Sequence, residues 1–266
     1  MPELVLFVSS AIAAGAKNKS ADGSSFDIQF DTPLQMPSST PTIRCLQATL
    51  FYSFPNITSD NNGLRISWTT GTGLNVTSFS YQITFARGLY SVDDLNNVIR
   101  RELLSLDLAS DTMVLVADNA TQTVGVKIHC QDGLGSFTAE FSHALSTINS
   151  LLKFAKDEGS TLVLGERVLM AGAEAEFAPC SSVLLHCSLA SGSFINGAGA
   201  QDVIASIALD ASPGNQIMFQ PQVAPRIAAP VLKSSTATCR INITDQDGTP
   251  LDTMSEDFQA TLLIEY

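Results

Sequence analysis

The sequence predicts an all-β protein, a sandwich or barrel, and three observations predict it. Short runs of β-branched, aliphatic and aromatic residues recur along the chain, separated by Gly, Pro, Asn and Asp. Several runs alternate apolar and polar residues, the pattern of a strand with one buried face. Only two segments carry the three-and-four spacing of an amphipathic helix. Each strand face needs a partner layer, so many strands and few helices pack as two sheets or one closed sheet.

In chain order, Leu4 to Val8 reads as a buried strand. The longer stretch Leu4 to Ala16 also resembles a signal-peptide core with a small-residue end. It follows Met1-Pro2-Glu3, with an acid where Lys or Arg is expected, and the strand is the preferred reading. Phe26 to Phe30 alternates, and Thr42 to Phe51 is a longer β-rich run. Leu64–Trp68 and Phe79–Phe85 follow, separated by Gly71, Thr72 and Gly73. Met113–Val116 and Val124–Ile128, joined by a polar stretch that opens at Ala117–Ala120, read as a hairpin. Further strands are expected at Leu162–Leu164, Val183–Leu189, Val203–Leu209, Gln216–Phe219, Thr238–Ile243 and Gln259–Glu265.

The first helical segment opens at Ser91, with Asp94 three residues on as a capping-box partner. Val92, Leu95, Ile99 and Leu103 then form one apolar stripe over about three to four turns. The second is Ala144 to Phe154, with Leu145, Ile148, Leu151 and Leu152 on one side. Gly192–Gly199 reads as a loop, and Pro221–Pro230 as an extended connection. No Pro/Gly/Ser-rich linker and no internal repeat divides the chain. The organisation read from this is an N-terminal arm or edge strand over residues 1–25 and one domain over 26–266.

Composition bounds the function. The chain has 266 residues, enough for a sizeable core, with 45% apolar and only 15% charged residues. The charged share is below the usual quarter or so. Such a surface suits a protein that buries much of itself against neighbours, and it also occurs in secreted β proteins. The net charge of −12 and the lack of a basic run argue against direct nucleic-acid binding. No apolar run reaches the length of about 18 residues read as a transmembrane helix, so no transmembrane segment is expected.

The residues that carry chemistry form no catalytic, cofactor or metal pattern, and none is assigned. His129, His143 and His186 are not spaced as a metal motif. His129-Cys130 and His186-Cys187 each fall in a strand, where consecutive side chains point to opposite faces. Asp245 to Gly248 resembles the start of a calcium loop but lacks its remaining carboxylates, and a tight turn accounts for it. Asp93 and Asp94 complement the helix dipole. Cys45, Cys130, Cys180, Cys187 and Cys239 have no CxxC spacing and read as reduced thiols in the core, with one or two disulfides as the alternative. Asn18, Asn56, Asn75, Asn119 and Asn242 head N-x-S/T triplets, which a Ser/Thr/Asn-rich chain produces by chance. Trp68, Phe51, Tyr52 and Phe54 read as core or interface aromatics.

Four stretches, in order along nearly the whole chain, resemble the penton (minor capsid) proteins of virophages, polinton-like viruses and related large DNA viruses. They are Leu6–Ser10 through Phe26–Phe30 to Pro37; Leu46–Ile57 followed by Asn61-Asn62; Gly88–Asn96; and Ile243–Gly248 through Leu262–Glu265. Gly159 to Pro230 matches only loosely. The resemblance implies a single jelly-roll β-sandwich of two antiparallel four-stranded sheets, with one or two short helices in the connections. It implies a structural protein of the virion, without catalytic residues or cofactor. Its partners would be itself, as a homopentamer at the icosahedral five-fold vertices, and the neighbouring major and minor capsid proteins. The competing expectation is a secreted or virion-surface jelly-roll binding module, lectin-like or receptor-binding and possibly trimeric. That alternative predicts cleavage near Ala16, occupied glycosylation triplets and oxidised cysteines.

Overall fold

The computed structural model describes residues 3–35, 41–71, 75–130, 134–155, 160–162, 165–178, 180–190, 194–196, 199–221, 229–231 and 235–266. The chain opens with β1 (Glu3–Ser9), β2 (Ser25–Gln35) and β3 (Thr42–Phe51). A second group follows: β4 (Gly63–Thr70), β5 (Thr77–Thr84), α1 (Val92–Ser105), β6 (Met113–Asp118), β7 (Thr123–Cys130) and β8 (Leu134–Ala139). α2 (Asn149–Leu152), β9 (Ser160–Leu162) and β10 (Gly165–Met170) complete that group. The chain then adds β11 (Ser182–Cys187), β12 (Phe194–Asn196), β13 (Gly199–Gln201), β14 (Val203–Ala208) and β15 (Gln216–Phe219). It ends with β16 (Ala229–Pro230), β17 (Ser235–Thr244) and β18 (Gln259–Glu265). The fold is all-β and antiparallel, as the patterning predicts.

The chain divides into two compact units, Met1–Phe54 with Cys180–Tyr266, and Pro55–Pro179.

In the first unit, one sheet runs β1-β18-β3-β15, with β16 also against β3, and the other runs β14-β11-β17-β2. β1 does not stand apart from the domain: it is the edge strand of the first sheet, paired with the last strand of the chain. The register follows burial. Leu4, Leu6 and Val8 sit opposite Ile264, Leu262 and Ala260, so the inward residues of both strands share one face. Those side chains meet Phe26, Ile241, Val183 and Leu185 from the other sheet in one core. Burying each large apolar side chain stabilises the unit by about 1.5–3 kcal/mol. Pro33 lies in β2, an edge strand, where a missing N–H is tolerated.

In the second unit, the sheets are β5-β4-β8-β9 and β10-β7-β6. Ser91 caps α1 as expected, with both arms of the capping box to Asp94 present. Leu95, Ile99 and Leu103 are buried together with Leu115, Val126 and Phe137. The Asn96 side chain bonds Leu115 through both its groups: Nδ2 donates to the Leu115 carbonyl at 2.8 Å and Oδ1 accepts from its N–H at 2.7 Å. This side chain occupies the backbone groups that a further strand would have taken, and so ties α1 to β6. Asn56 acts similarly on loops. Its Nδ2 donates to the carbonyls of Tyr90 and Phe177, and its Oδ1 accepts from Tyr90 N–H.

Several local expectations change. The helix expected over Ala144–Phe154 is one turn, Asn149–Leu152. Ser146 Oγ accepts from Arg65 N–H and Thr147 Oγ1 from Gly63 N–H, so the preceding residues are pinned to β4 as turns. Leu145 is accordingly exposed while Ile148, Leu151 and Leu152 are buried. β8 and β10 were not expected: β8 is rich in small residues and β10 carries Glu166 and Arg167. Gly192–Gly199, read as a loop, includes β12, which pairs with β13. Thr72 and Gly73 of the turn after β4 and most of the Pro221–Pro230 connection lie outside the described residues, as do Val163 and Leu164.

Candidate assembly surface

The outer face of the β1-β18-β3-β15 sheet has an unusual chemistry for a solvent face. Strand alternation that turns Leu4, Leu6 and Val8 inward turns Val5 and Phe7 outward, where they are 58% and 67% exposed. Ile12, just beyond β1, is 75% exposed. The register carries the face across the sheet: Phe7 lies beside Thr261, which lies beside Gln47, and Gln259 lies beside Thr49, which lies beside the exposed Met218. Phe51 adds a partly exposed ring. Charge is confined to one end, where Arg44 pairs with Glu265 and Glu3 lies opposite Glu265.

Among the described residues β1 is also an open edge: its ladder runs only to β18, and from Leu4 to Ser9 it holds no charge or proline. Protein edges are normally blunted by charge, proline or a bulge, because a free row of N–H and C=O groups templates pairing with another chain. An apolar edge strand beside an uncharged Thr- and Gln-lined sheet face has the chemistry of a docking surface.

The second unit has an open groove of about 640 Å³, lined by Trp68, Phe79, Tyr81, Leu106, Leu108 and Leu134 among others. Trp68 is buried and stacks at 5.5 Å on the more exposed Phe79, while Tyr81 donates its hydroxyl to Glu102. In the first unit, Tyr52 and Phe54 are core residues.

Among the described residues, no group of three His, Cys, Asp or Glu converges in a way that could hold a metal ion. His129 and Cys130 split between the two faces of β7, the histidine partly exposed and the cysteine buried. His186 is buried and bridges Asp202 Oδ1 at 2.8 Å and Thr244 Oγ1 at 2.9 Å. The order Asp–His–Thr is that of a hydrolase triad, but the Thr244 hydroxyl is itself buried and donates to the Asp245 carbonyl at 3.0 Å. The three residues clamp β11 to β17 and to the segment before β14. Asp245 Oδ1 accepts from the N–H groups of Asp247 and Thr249, the tight turn that the sequence predicts. All five cysteines are free and buried. Asn56, one of the glycosylation triplets, is buried. No helix among the described residues is long and apolar enough to cross a membrane.

No protein-family model matches the sequence, and no curated protein matches it. Among solved structures the chain is similar to a viral capsid component over almost its entire length. The crystal structure of the mavirus penton protein aligns with 99% of this chain and 99% of that one, with a TM-score of 0.52 and 14% sequence identity. The chain therefore shares the fold of the mavirus penton protein.

Proposed function

We propose that the protein is a penton-type capsid subunit, a structural protein of the virion that forms homopentamers at the five-fold vertices and contacts neighbouring major and minor capsid proteins. The single observation that carries the reading is the end-to-end likeness in fold to the mavirus penton protein. The strand order supports it. Counting only the eight strands β1, β2, β3, β11, β14, β15, β17 and β18, the sheets read first-eighth-third-sixth and second-seventh-fourth-fifth. That winding is a jelly roll, a double-sheet fold common in viral capsid domains. On this reading the second unit is an insertion between the third and fourth jelly-roll strands. The protein has no catalytic role or cofactor here; its work is interface burial.

A ring uses a heterologous contact, in which one flank of each subunit meets a different flank of the next. The β1 edge with Val5, Phe7 and Ile12 supplies one apolar flank. Obligate interfaces bury on the order of 2,000 Å² or more, and the low charge content of the chain suits that. Light scattering on the purified protein, with negative-stain images, tests the reading. A particle of five times the monomer mass with five-fold class averages is expected. A stable trimer would overturn the pentamer and favour a trimeric binding module.

A further inference from the structure

Two of the cysteines touch. Cys187 is the last residue of β11, Cys239 lies in β17, and their Sγ atoms are 3.4 Å apart. Cys187 sits opposite Ile241, so Cys239 is its diagonal neighbour across the ladder, within side-chain reach. A disulfide has an S–S length of about 2.05 Å, so the sulfurs need to approach by roughly 1.4 Å. Cys187 ends β11 and is followed by a turn at Ser188 and Leu189, so the approach is asked of a strand end and not of a strand centre.

The surroundings separate this pair from two of the other thiols. Burial pushes the Cys45 thiol up to about 12 and that of Cys180 up to about 11, which keeps both protonated and inert near neutral pH. The hydrogen bond it shares with Cys187, with the Ser188 hydroxyl assisting against the effect of burial, holds the Cys239 thiol below the usual thiol range. The same contact, together with burial, pushes Cys187 up. One sulfur is thus the readier nucleophile and its neighbour is placed to resolve it. Both are at most 1% exposed, which excludes a protein disulfide as direct oxidant and leaves small molecules.

We propose that Cys187 and Cys239 form an oxidisable dithiol that a small peroxide converts into an intrachain disulfide stapling β11 to β17. The Cys239 thiolate attacks one peroxide oxygen; an S–O bond forms, the O–O bond breaks, and the leaving hydroxide takes a proton to become water. Cys187 sulfur then attacks the Cys239 sulfenic acid, so that S–S forms and S–O breaks. The departing hydroxide leaves as water with the Cys187 proton. The sulfurs are oxidised by two electrons and the peroxide is reduced to two waters. The inference holds whether or not the chain builds a capsid.

The test is to treat the full-length protein with hydrogen peroxide, remove the excess with catalase, denature, alkylate with N-ethylmaleimide and map the peptides by mass spectrometry. Two of the five thiols should escape alkylation until reduced, with a cross-linked peptide pair joining Cys187 to Cys239. The oxidised protein should unfold several degrees higher in a thermal scan, because the cross-link restricts the unfolded chain. In Cys187→Ser, Cys239 should stop at a sulfenic acid that dimedone traps. Alkylation of every thiol in peroxide-treated wild type, a cross-link between other cysteines, or sulfinic acid at Cys239 without a cross-link would each overturn the proposal. The wild-type map stands alone if the variant fails to fold.

Discussion

The two units solve the same problem, an antiparallel two-sheet core, with opposite use of the chain. In the first, β1 pairs with β18 and β2 with β17, so its sheets close only when both ends of the sequence are present. In the second, β4 pairs with β5 and β6 with β7, neighbours joined by short connections. The first core is supplied by strands and the loops beside them. The second needs α1 and the stacked pair Phe141–Phe154, whose ring centroids are 3.9 Å apart. Contacts between distant residues require loop closure before they contribute, so the second unit should form early and the first late.

The largest test of that comparison is core truncation. Phe26→Ala in the first unit and Phe137→Ala in the second should each cost about 3–5 kcal/mol, since both rings are fully buried. The single tryptophan, Trp68, lies in the second unit, so its fluorescence in a urea titration reports on that unit alone. Phe137→Ala should shift the fluorescence transition. Phe26→Ala should shift only the remaining far-ultraviolet dichroism change. Identical shifts by both probes would show one cooperative body.

A smaller effect is expected at Asn56. Asn56→Ala leaves the Tyr90 and Phe177 backbone groups without their partners and should lower the fluorescence-detected stability by about 1–3 kcal/mol. Ser91→Ala removes one arm of the capping box and should cost about 1 kcal/mol in the same assay.

Acid sensitivity sharpens the comparison further. Hydrogen bonds from Arg240 hold the Asp27 carboxyl below its usual range in the first unit, and hydrogen bonds from Ser91 do the same for Asp94 in the second. A lowered folded value means that the stabilisation is present above the ordinary carboxylate range near pH 4. It is lost as pH falls through the lowered value. Asp27→Asn should flatten the acid limb of the dichroism transition and leave that of the fluorescence transition unchanged. The opposite pattern would break the assignment of these carboxylates to separate units.

The smallest effect on stability should come from Phe7. Phe7→Ser changes an exposed outer-face position and should move monomer stability by only about 0.5 kcal/mol. If β1 is an assembly edge, the same change should shift light-scattering mass toward the monomer; an unchanged oligomer would remove Phe7 from the contact.

What the sequence by itself determined is local. The strand at Leu4–Val8, the stripe Leu95, Ile99 and Leu103, the capping box at Ser91 and the Asp245 turn are all legible, because each depends on residues within a few positions of one another, although which side chains of that strand face inward is not. The resemblance in four ordered stretches carried the capsid reading. The tertiary structure decided what distant residues share. It set β1 against β18 and shortened the second helix by giving Ser146 and Thr147 to β4. It also divided the chain at Phe54 and Pro55, placed Cys187 against Cys239, and left Phe7 in solvent. Period-two patterning states that a strand has an inner and an outer face. Which strand lies beside it, and whether anything covers the outer face, depends on how the whole chain buries its apolar surface at once.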